Sequence, residues 1–550
     1  MKRIVSLPTP LLYLILCVIS ACMYFPFLGS VHLFDWDEIN FSESAREMLL
    51  THDYVRVQVN FQPFWEKPPF FIWLQVLSMK LFGITEFAAR FPNAAMGVVT
   101  SCVLFYVGKK EFDLKFALLW VAVYMGSFLP HFYFRTAIMD PTFNLFIFLG
   151  VYHLFKLSGL RQEASGGFSI KSCLAGFFIG MAIITKGPVA LLVFLLCLFV
   201  FLVIKKRWDY FTFLDAVTFI ITCFLTSAIW FGYETYQNGI WFMKEFIVYQ
   251  IRLFSTQDAG HGGPFIYHFI VLLVGCFPAS LFFLGSFGSH HNLPYRQRLF
   301  ITWMMILFWV HLLLFSIVKT KIVHYSSLCY FPLTFLATVF IYKILNSKAQ
   351  LKSWQLVLYY TITSLFSLVF IALPWVGKFS ARLIPYIEDP FVVGNLQADV
   401  RWPLYLFFIG PLYFIFMCMI GRTLKRTPKM IVLSFAGTII IIQFVLATFV
   451  PRIEKYSQGA LIDFYISHQQ DDVYVQSIGF KSYGQYFYTQ RKPSYNTSVD
   501  EGRALAPAPL DKPVFLVVKN MQEQDYLELK RFKRLGEKNG FVFFKRGKGD

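Results

Sequence analysis

The chain has 550 residues, of which 57% are hydrophobic and 15% charged, and a formal net charge of +18. This is not a soluble globular composition: apolar runs near the length a bilayer requires recur from end to end, which makes the chain a polytopic membrane protein. The basic surplus sits in short connectors between those runs, where it orients spans, and it argues against a nucleic-acid partner.

The first thirty residues, MKRIVSLPTPLLYLILCVISACMYFPFLGS, have a basic tip and an apolar stretch of about twenty residues. Without a clear small-x-small cleavage site, this reads as a retained first span. A polar island follows between Leu33 and Arg90, containing FDWDEINFSESAREMLLTHDYVRVQVNFQPFWEKPPFFIW. Its Asp35, Asp37, Glu38, Glu43, Arg46, Glu47, Glu66 and Lys67 stand in a chain that is otherwise mostly hydrocarbon. Charge at bilayer depth costs roughly 2.5–3.5 kcal/mol per group unless solvated or paired, so the cluster is a candidate site; the alternative is an ordinary solvated loop. Within it, EINFSESAREMLL and PPFFIWLQVLSMKLFG read as helices lying in the interface plane, and GIWFMKEFIVYQIRLF (239–254) as a third. Trp65, Trp73, Trp230 and Trp241 suit the aromatic belt.

Apolar periodicity predicts about thirteen transmembrane helices. They cover 9–30, 86–108, 115–133, 137–156, 172–185, 187–204, 211–232, 265–287, 299–318, 324–343, 354–376, 402–421 and 430–450. Basic connectors then fall on alternate sides: Lys2/Arg3, Lys109/Lys110/Lys115, Lys156/Arg161/Lys171, Lys205/Lys206/Arg207, Arg296/Arg298, Lys343/Lys348/Lys352 and Arg422/Lys425/Arg426/Lys429. The positive-inside rule makes these cytoplasmic, so 31–85, 233–264, 377–401 and the tail emerge on the external face. The chain divides into a membrane domain, 1–450, and an external α/β domain, 451–550. In the latter, DDVYVQSI and KPVFLVV read as strands and 456–469, 480–490 and 521–531 as helices. The nine cysteines all lie in apolar runs, as small core residues do. Asn40 and Asn496 match a glycosylation acceptor too common by chance to carry weight.

A transport pathway would place charges and helix breaks near mid-span. Here the ionisable residues gather at the external ends of spans: Arg135 and Asp140, Lys186, Glu234, then Arg252, Asp258 and His261, and finally Lys319, Lys321 and His324. That arrangement suits chemistry on an amphiphile whose headgroup sits at the outer bilayer surface, such as a polyisoprenyl phosphate sugar. Lys and Arg can stabilise charge growing on a phosphate leaving group, and one carboxylate can take the proton from an incoming hydroxyl. A glycosidase would instead need a carboxyl pair flanking the bond.

WDEINFSESAREML followed by FWEKPPFFIW resembles the paired motifs of the lipid A aminoarabinose transferases and their bacterial protein-mannosyltransferase relatives, membrane glycosyltransferases of the GT-C class. RTAIMDPTF, ITKGP, QDAGHGGPFIYHF and KTKIVHYSSLCYFPL resemble further segments of that family in the same order. The resemblance implies a GT-C fold and an inverting transfer of one sugar from an undecaprenyl-phosphate donor. The acceptor would be lipid A, another glycolipid or polysaccharide, or a protein hydroxyl, at the periplasmic face of a bacterial inner membrane, with the enzyme acting as a monomer. It implies that Asp37, with Glu38 beside it, is the catalytic or acceptor-orienting carboxylate; a capping aspartate is the alternative. It makes Lys67 the lysine on the lipid phosphate, with Arg135, Lys186, Lys319, Lys321 and Tyr325 as further phosphate contacts and Asp140 and Asp258 nearby; the His261 segment lacks a following arginine for the phosphate, and Arg252, before it, is the substitute. Glu66 and His261 correspond to a pair that can hold a divalent metal, zinc foremost, or simply hydrogen-bond to each other. Asn40 and Phe41 depart from the family pattern, so local acceptor or lipid contacts are expected to differ. A lipid flippase is the competing reading, and a non-catalytic scaffold presenting the tail a weaker one.

Overall fold

The computed structural model describes residues 7–160, 169–206, 210–256, 262–288, 291–346, 349–425, 427, 429–493, 504–506 and 509–549. Lys2, Arg3, Arg161, Arg207, Asp258, His261, Lys348, Arg426 and Asn496 lie outside them. Every apolar run expected to span is helical. Among the described residues seven helices are long and apolar enough to cross a membrane, from Glu86–Glu111 to Met430–Ser467; Thr9–Tyr24 and Val189–Lys205 are shorter apolar helices.

Two expected spans are broken. Leu114–Met125 and the segment Phe128–Arg135 meet at 83°. The turn falls at Gly126, where a Cβ would stand 2.5 Å from that of Phe435, a close approach that only glycine permits. The run 265–287 likewise divides into Tyr267–Gly275 and Ala279–Phe283 at Pro278, which has no N–H to continue the ladder. The two breaks face each other, and the Phe128 N–H donates to the Phe277 carbonyl at 3.2 Å.

The basic connectors converge on one end of the bundle. Lys109 reaches Thr9 at 2.9 Å, Lys115 reaches Asn346 at 3.1 Å, and Lys425 reaches Ser353 at 3.2 Å. Glu111 accepts from both Lys156 and Arg296 at 2.6 Å. The acidic first stretch lies at the other end, where the chain builds its site.

The last apolar run does not stop at 450: Met430–Ser467 continues as one helix through π turns at Val445–Phe449 and Lys455–Gly459. The expected domain boundary therefore falls inside a helix, and the sheet begins only at Tyr474. Strand numbering starts with a short hairpin in the first loop, β1 (Gln58–Val59) and β2 (Gln62–Pro63). The tail adds β3 (Tyr474–Ser477), β4 (Val514–Lys519), β5 (Lys533–Lys538) and β6 (Phe541–Arg546) in the order β3-β4-β6-β5, with β3 and β4 parallel and the rest antiparallel. β3 and β4 are the two expected strands; β5 and β6 are additional. Val514–Val518 of β4 are all buried because both faces are covered, which explains their unbroken apolar run. Phe464 of the long helix stacks on Phe543 at 4.1 Å on one side, and Leu510 and Tyr526 close the other.

Candidate active site

The helix Asp37–Thr51 forms where expected, but it does not lie at a lipid surface: Glu38 through Met48 are all buried in protein. Burying Glu38, Glu43 and Arg46 is affordable because each is paired. Glu43 receives Arg46 through two bonds of 2.7 and 2.6 Å. Glu47, whose pKa is held well above the usual carboxylate range by burial first and the Glu43 carboxylate next, accepts from the Phe61 N–H at 2.9 Å. That last bond fixes the β1–β2 hairpin, which leads directly to Glu66 and Lys67.

Glu38 accepts four hydrogen bonds: from Arg90 Nε at 3.0 Å and Nη2 at 2.8 Å, from the Phe34 N–H at 2.9 Å and from the Ala137 N–H at 2.6 Å. Arg90 in turn donates to the Leu28, Val31 and His32 carbonyls. With both oxygens engaged, Glu38 is a brace that ties the helix start to two other segments. Its neighbour Asp37 begins the helix, where a negative charge is favoured by the exposed N–H groups, and keeps a third of its side chain exposed (33%).

Asp37 faces a cavity of about 970 Å³. Inside it, His324 Nε2 lies 3.7 Å from Asp37 Oδ2. Lys186 donates to Asp140 at 2.5 Å, and its Nζ stands 5.3 Å from the Tyr325 ring centre. Lys67 donates to the Tyr249 hydroxyl at 3.3 Å, and Arg252 lies 5.2 Å from the same ring. Asp37 and Lys67 both stand within electrostatic reach of Asp140, His324 and Tyr325. The structure thus brings Asp37, Glu38, Glu66, Lys67, Asp140, Lys186, Arg252 and Tyr325 to one wall-lined space. Leu192, Ile247 and Ile251 line it too and stay exposed, so the cavity opens sideways through an apolar gap between the helices Val189–Lys205 and Trp241–Ser255.

Three expected phosphate contacts sit elsewhere. Arg135 donates to the Met23 and Pro26 carbonyls and to Gln443, where it caps the carboxyl end of Thr9–Tyr24. Lys321 donates to the carbonyls of Phe315, Ser316 and Val318 and caps Tyr295–Ile317 in the same way. A cation at a helix carboxyl end satisfies orphan carbonyls and opposes the negative end of the dipole. Lys319 is exposed and is not among the described residues lining the cavity. No group of three or more His, Cys, Asp or Glu suited to a metal occurs among the described residues, so Glu66 has no described ligand set.

The C-terminal domain supplies part of the site, which the sequence did not foretell. The Asp35 carboxylate accepts from the Ser482 hydroxyl and, at 3.2 Å, from the Tyr483 N–H. The Tyr488 hydroxyl accepts from the Leu33 N–H at 2.7 Å, and His32 meets Glu454 at 2.9 Å. Lys481, which lines the cavity, holds its Nζ 4.5 Å from the Trp36 ring centre, one residue from Asp37. Its loop follows β3, at the carboxyl ends of the parallel pair, the edge of such sheets that carries ligand contacts. His324, one of the ionisable residues at the external ends of the spans, also lines the cavity, and so does Tyr249, which no sequence motif marks. Two of the belt tryptophans prove to be clamps: Trp73 Nε1 donates to the Tyr54 carbonyl at 2.6 Å and Trp230 Nε1 to that of Val55 at 2.9 Å.

This bundle, with its polar cavity at one end beneath a small α/β domain, has the GT-C fold of membrane glycosyltransferases. Over 98% of each chain it superposes on ArnT from Cupriavidus metallidurans bound to undecaprenyl phosphate, with a TM-score of 0.75 and 16% identity. Over 96% of this chain and 74% of the other it matches the oligosaccharyltransferase AglB from Archaeoglobus fulgidus, with a TM-score of 0.50 and 8% identity. More particularly, residues 66–230 match the family described as dolichyl-phosphate-mannose-protein mannosyltransferase. The chain is 25% identical over 372 residues to the undecaprenyl phosphate-alpha-4-amino-4-deoxy-L-arabinose arabinosyl transferase of Edwardsiella ictaluri, covering 66% of this chain and 65% of that one. With the enzyme of the same name from Pectobacterium carotovorum it shares 26% over 333 residues, covering 60% of this chain and 58% of that one. The chain therefore resembles the aminoarabinose transferases, and the matches span less than two thirds of those relatives' length.

Proposed function

We propose that the protein is an inverting glycosyltransferase that moves one sugar from an undecaprenyl-phosphate donor to a hydroxyl of an acceptor. The setting is the periplasmic face of a bacterial inner membrane, with the basic connectors cytoplasmic. The acceptor is lipid A, another glycolipid or polysaccharide, or a protein. The observation that carries this reading is the single cavity in which Asp37 stands near Lys67, Lys186 and Arg252 while an apolar gap opens toward the lipid.

In this mechanism the prenyl chain lies along Leu192, Ile247 and Ile251, and the cations hold the phosphate. Asp37 takes the proton from the acceptor oxygen as that oxygen bonds to C1 of the sugar. The bond from C1 to the phosphate oxygen breaks on the opposite face, and undecaprenyl phosphate leaves with the electron pair. Phosphate is already a good leaving group, so charge stabilisation by the lysines replaces a general acid. Glu38 and Asp35 position, and neither moves a proton. The carboxylates and cations of the cavity gather at one end of the bundle, which favours transfer over a flippase, whose polar groups should line mid-span faces. The deciding experiment is lipid and glycan mass spectrometry of cells with and without the gene, followed by turnover of the purified protein. Unchanged glycans together with donor-independent lipid movement would reverse the reading in favour of the flippase.

Donor affinity separates the cations that face the cavity from those that cap helices. Lys67→Ala and Lys186→Ala should each weaken undecaprenyl phosphate binding about tenfold or more, the loss expected for a charge-assisted contact. Arg135→Met and Lys321→Met should leave that affinity within about twofold while costing about 1–3 kcal/mol of stability, because buried carbonyls lose their donor. Isothermal titration and thermal unfolding of the four variants make the comparison. On the acceptor side, Lys481→Ala should raise the acceptor KM about three- to tenfold with donor affinity unchanged, the size of one partly exposed cation contact. Steady-state kinetics at saturating donor measures it.

A further inference from the structure

At the end of the bundle opposite the catalytic cavity lies a second pocket, of about 400 Å³. Asp140 begins one helix and Lys156 stands near its other end, and the sixteen residue steps from one to the other span about 24 Å at 1.5 Å per residue, close to the thickness of a hydrocarbon core. The pocket lies between the helices Thr9–Tyr24, Glu86–Glu111 and Asp140–Leu160, beside the start of Ile170–Lys186. Its walls are apolar, with Cys17, Val103 and Leu149 inside, and its outer edge at Val99 and Tyr106 is half exposed, at 48% and 46%.

Its rim is basic. Lys110, Lys156 and Lys171 all line the pocket and all act electrostatically on His153, which lines it too and whose Nδ1 is buried without a partner. Among the described residues the carboxylate beside it, Glu111, is already matched by Lys156, Arg296 and the Tyr152 hydroxyl. Lys110 bonds only the neutral Tyr106 hydroxyl among the described contacts, at 2.9 Å. Among the described residues the rim therefore carries a surplus of positive charge at the level of the headgroups, above a groove shaped for hydrocarbon. Basic pockets between spanning helices hold anionic headgroups, and the apolar walls here select a lipid over a free anion.

We infer that this pocket binds one anionic phospholipid of the leaflet opposite the catalytic cavity, its phosphate at Lys110 and Lys171 and an acyl chain along Val99 and Val103. Binding is separate from sugar transfer, so it holds whether or not the proposed reaction is right. The test uses the full-length protein, delipidated in detergent, with dioleoyl-phosphatidylglycerol as the probe and dioleoyl-phosphatidylcholine and inorganic phosphate as controls, read by native mass spectrometry and thermal shift. One phosphatidylglycerol per chain should be retained and should raise Tm, while the two controls do neither. A double variant, Lys110→Ala with Lys171→Ala, should weaken retention about tenfold or more. Val99→Trp, which fills the groove and leaves the charge intact, should do the same, and Asp37→Asn should change nothing. Equal retention of phosphatidylglycerol and phosphatidylcholine overturns the inference. So does an unchanged affinity in either folded pocket variant, or a response to phosphate alone.

Discussion

Asp37→Asn is expected to lower kcat by about 10²–10⁴, the range a positioned general base supplies, while the Kd for undecaprenyl phosphate stays within about twofold. The substitution keeps the size of the side chain and its place at the start of the helix Asp37–Thr51, where no side-chain capping bond would be lost. It removes the one carboxylate that is both part-exposed to the cavity and 3.7 Å from His324, and the cations that hold the donor remain. Transfer of labelled sugar and lipid titration on the same preparation separate the two effects. Retained turnover would return Asp37 to the role of a simple helix-start residue and leave Glu66 and Asp140, the latter paired with Lys186, as the remaining candidates among the cavity carboxylates that do not serve as braces.

Glu38→Ala is expected to destabilise the protein by about 3–5 kcal/mol, because it strands the Arg90 guanidinium in a site where both partners are less than a tenth exposed. The backbone N–H groups of Phe34 and Ala137 lose their acceptor as well. Turnover should fall in parallel, since Asp37 is the adjacent residue and its position depends on that anchor. The double variant Glu38→Gln with Arg90→Met should recover part of the stability, as replacing a buried pair costs less than breaking it. Thermal unfolding of Glu38→Gln, Arg90→Met and their double variant forms a mutant cycle. A cycle in which the effects simply add would show that the two residues do not act as a unit.

The hydrophobic runs carried the bundle, because a bilayer leaves a spanning segment little choice but a helix of the right length. What the runs could not show was where a helix breaks. Gly126 and Pro278 look unremarkable in their segments; the bend at one is decided by the closeness of Phe435, a contact made across hundreds of residues. The β5–β6 hairpin was visible in principle. Asn539 and Gly540 both take positive φ, as the residues of a tight two-residue turn do, but eight of the eighteen residues in LKRFKRLGEKNGFVFFKR are charged, which masks the alternation of the strands on either side.

The sequence by itself determined that this is a membrane protein, that its chemistry gathers at one end, and which acidic and basic groups stand near the bilayer. All three follow from composition and spacing, which the solvent enforces locally. Only the tertiary structure decided which of those groups face the cavity. Glu38, Arg135 and Lys321 carry the same charges as Asp37, Lys67 and Lys186, yet they are spent on an ion pair and two helix ends. Lys481, from a domain without a motif, reaches the cavity because Asp35 holds its loop there. A charge declares that it needs a partner; whether that partner is a carbonyl, a carboxylate or a substrate depends on what the fold brings within about 3 Å of it.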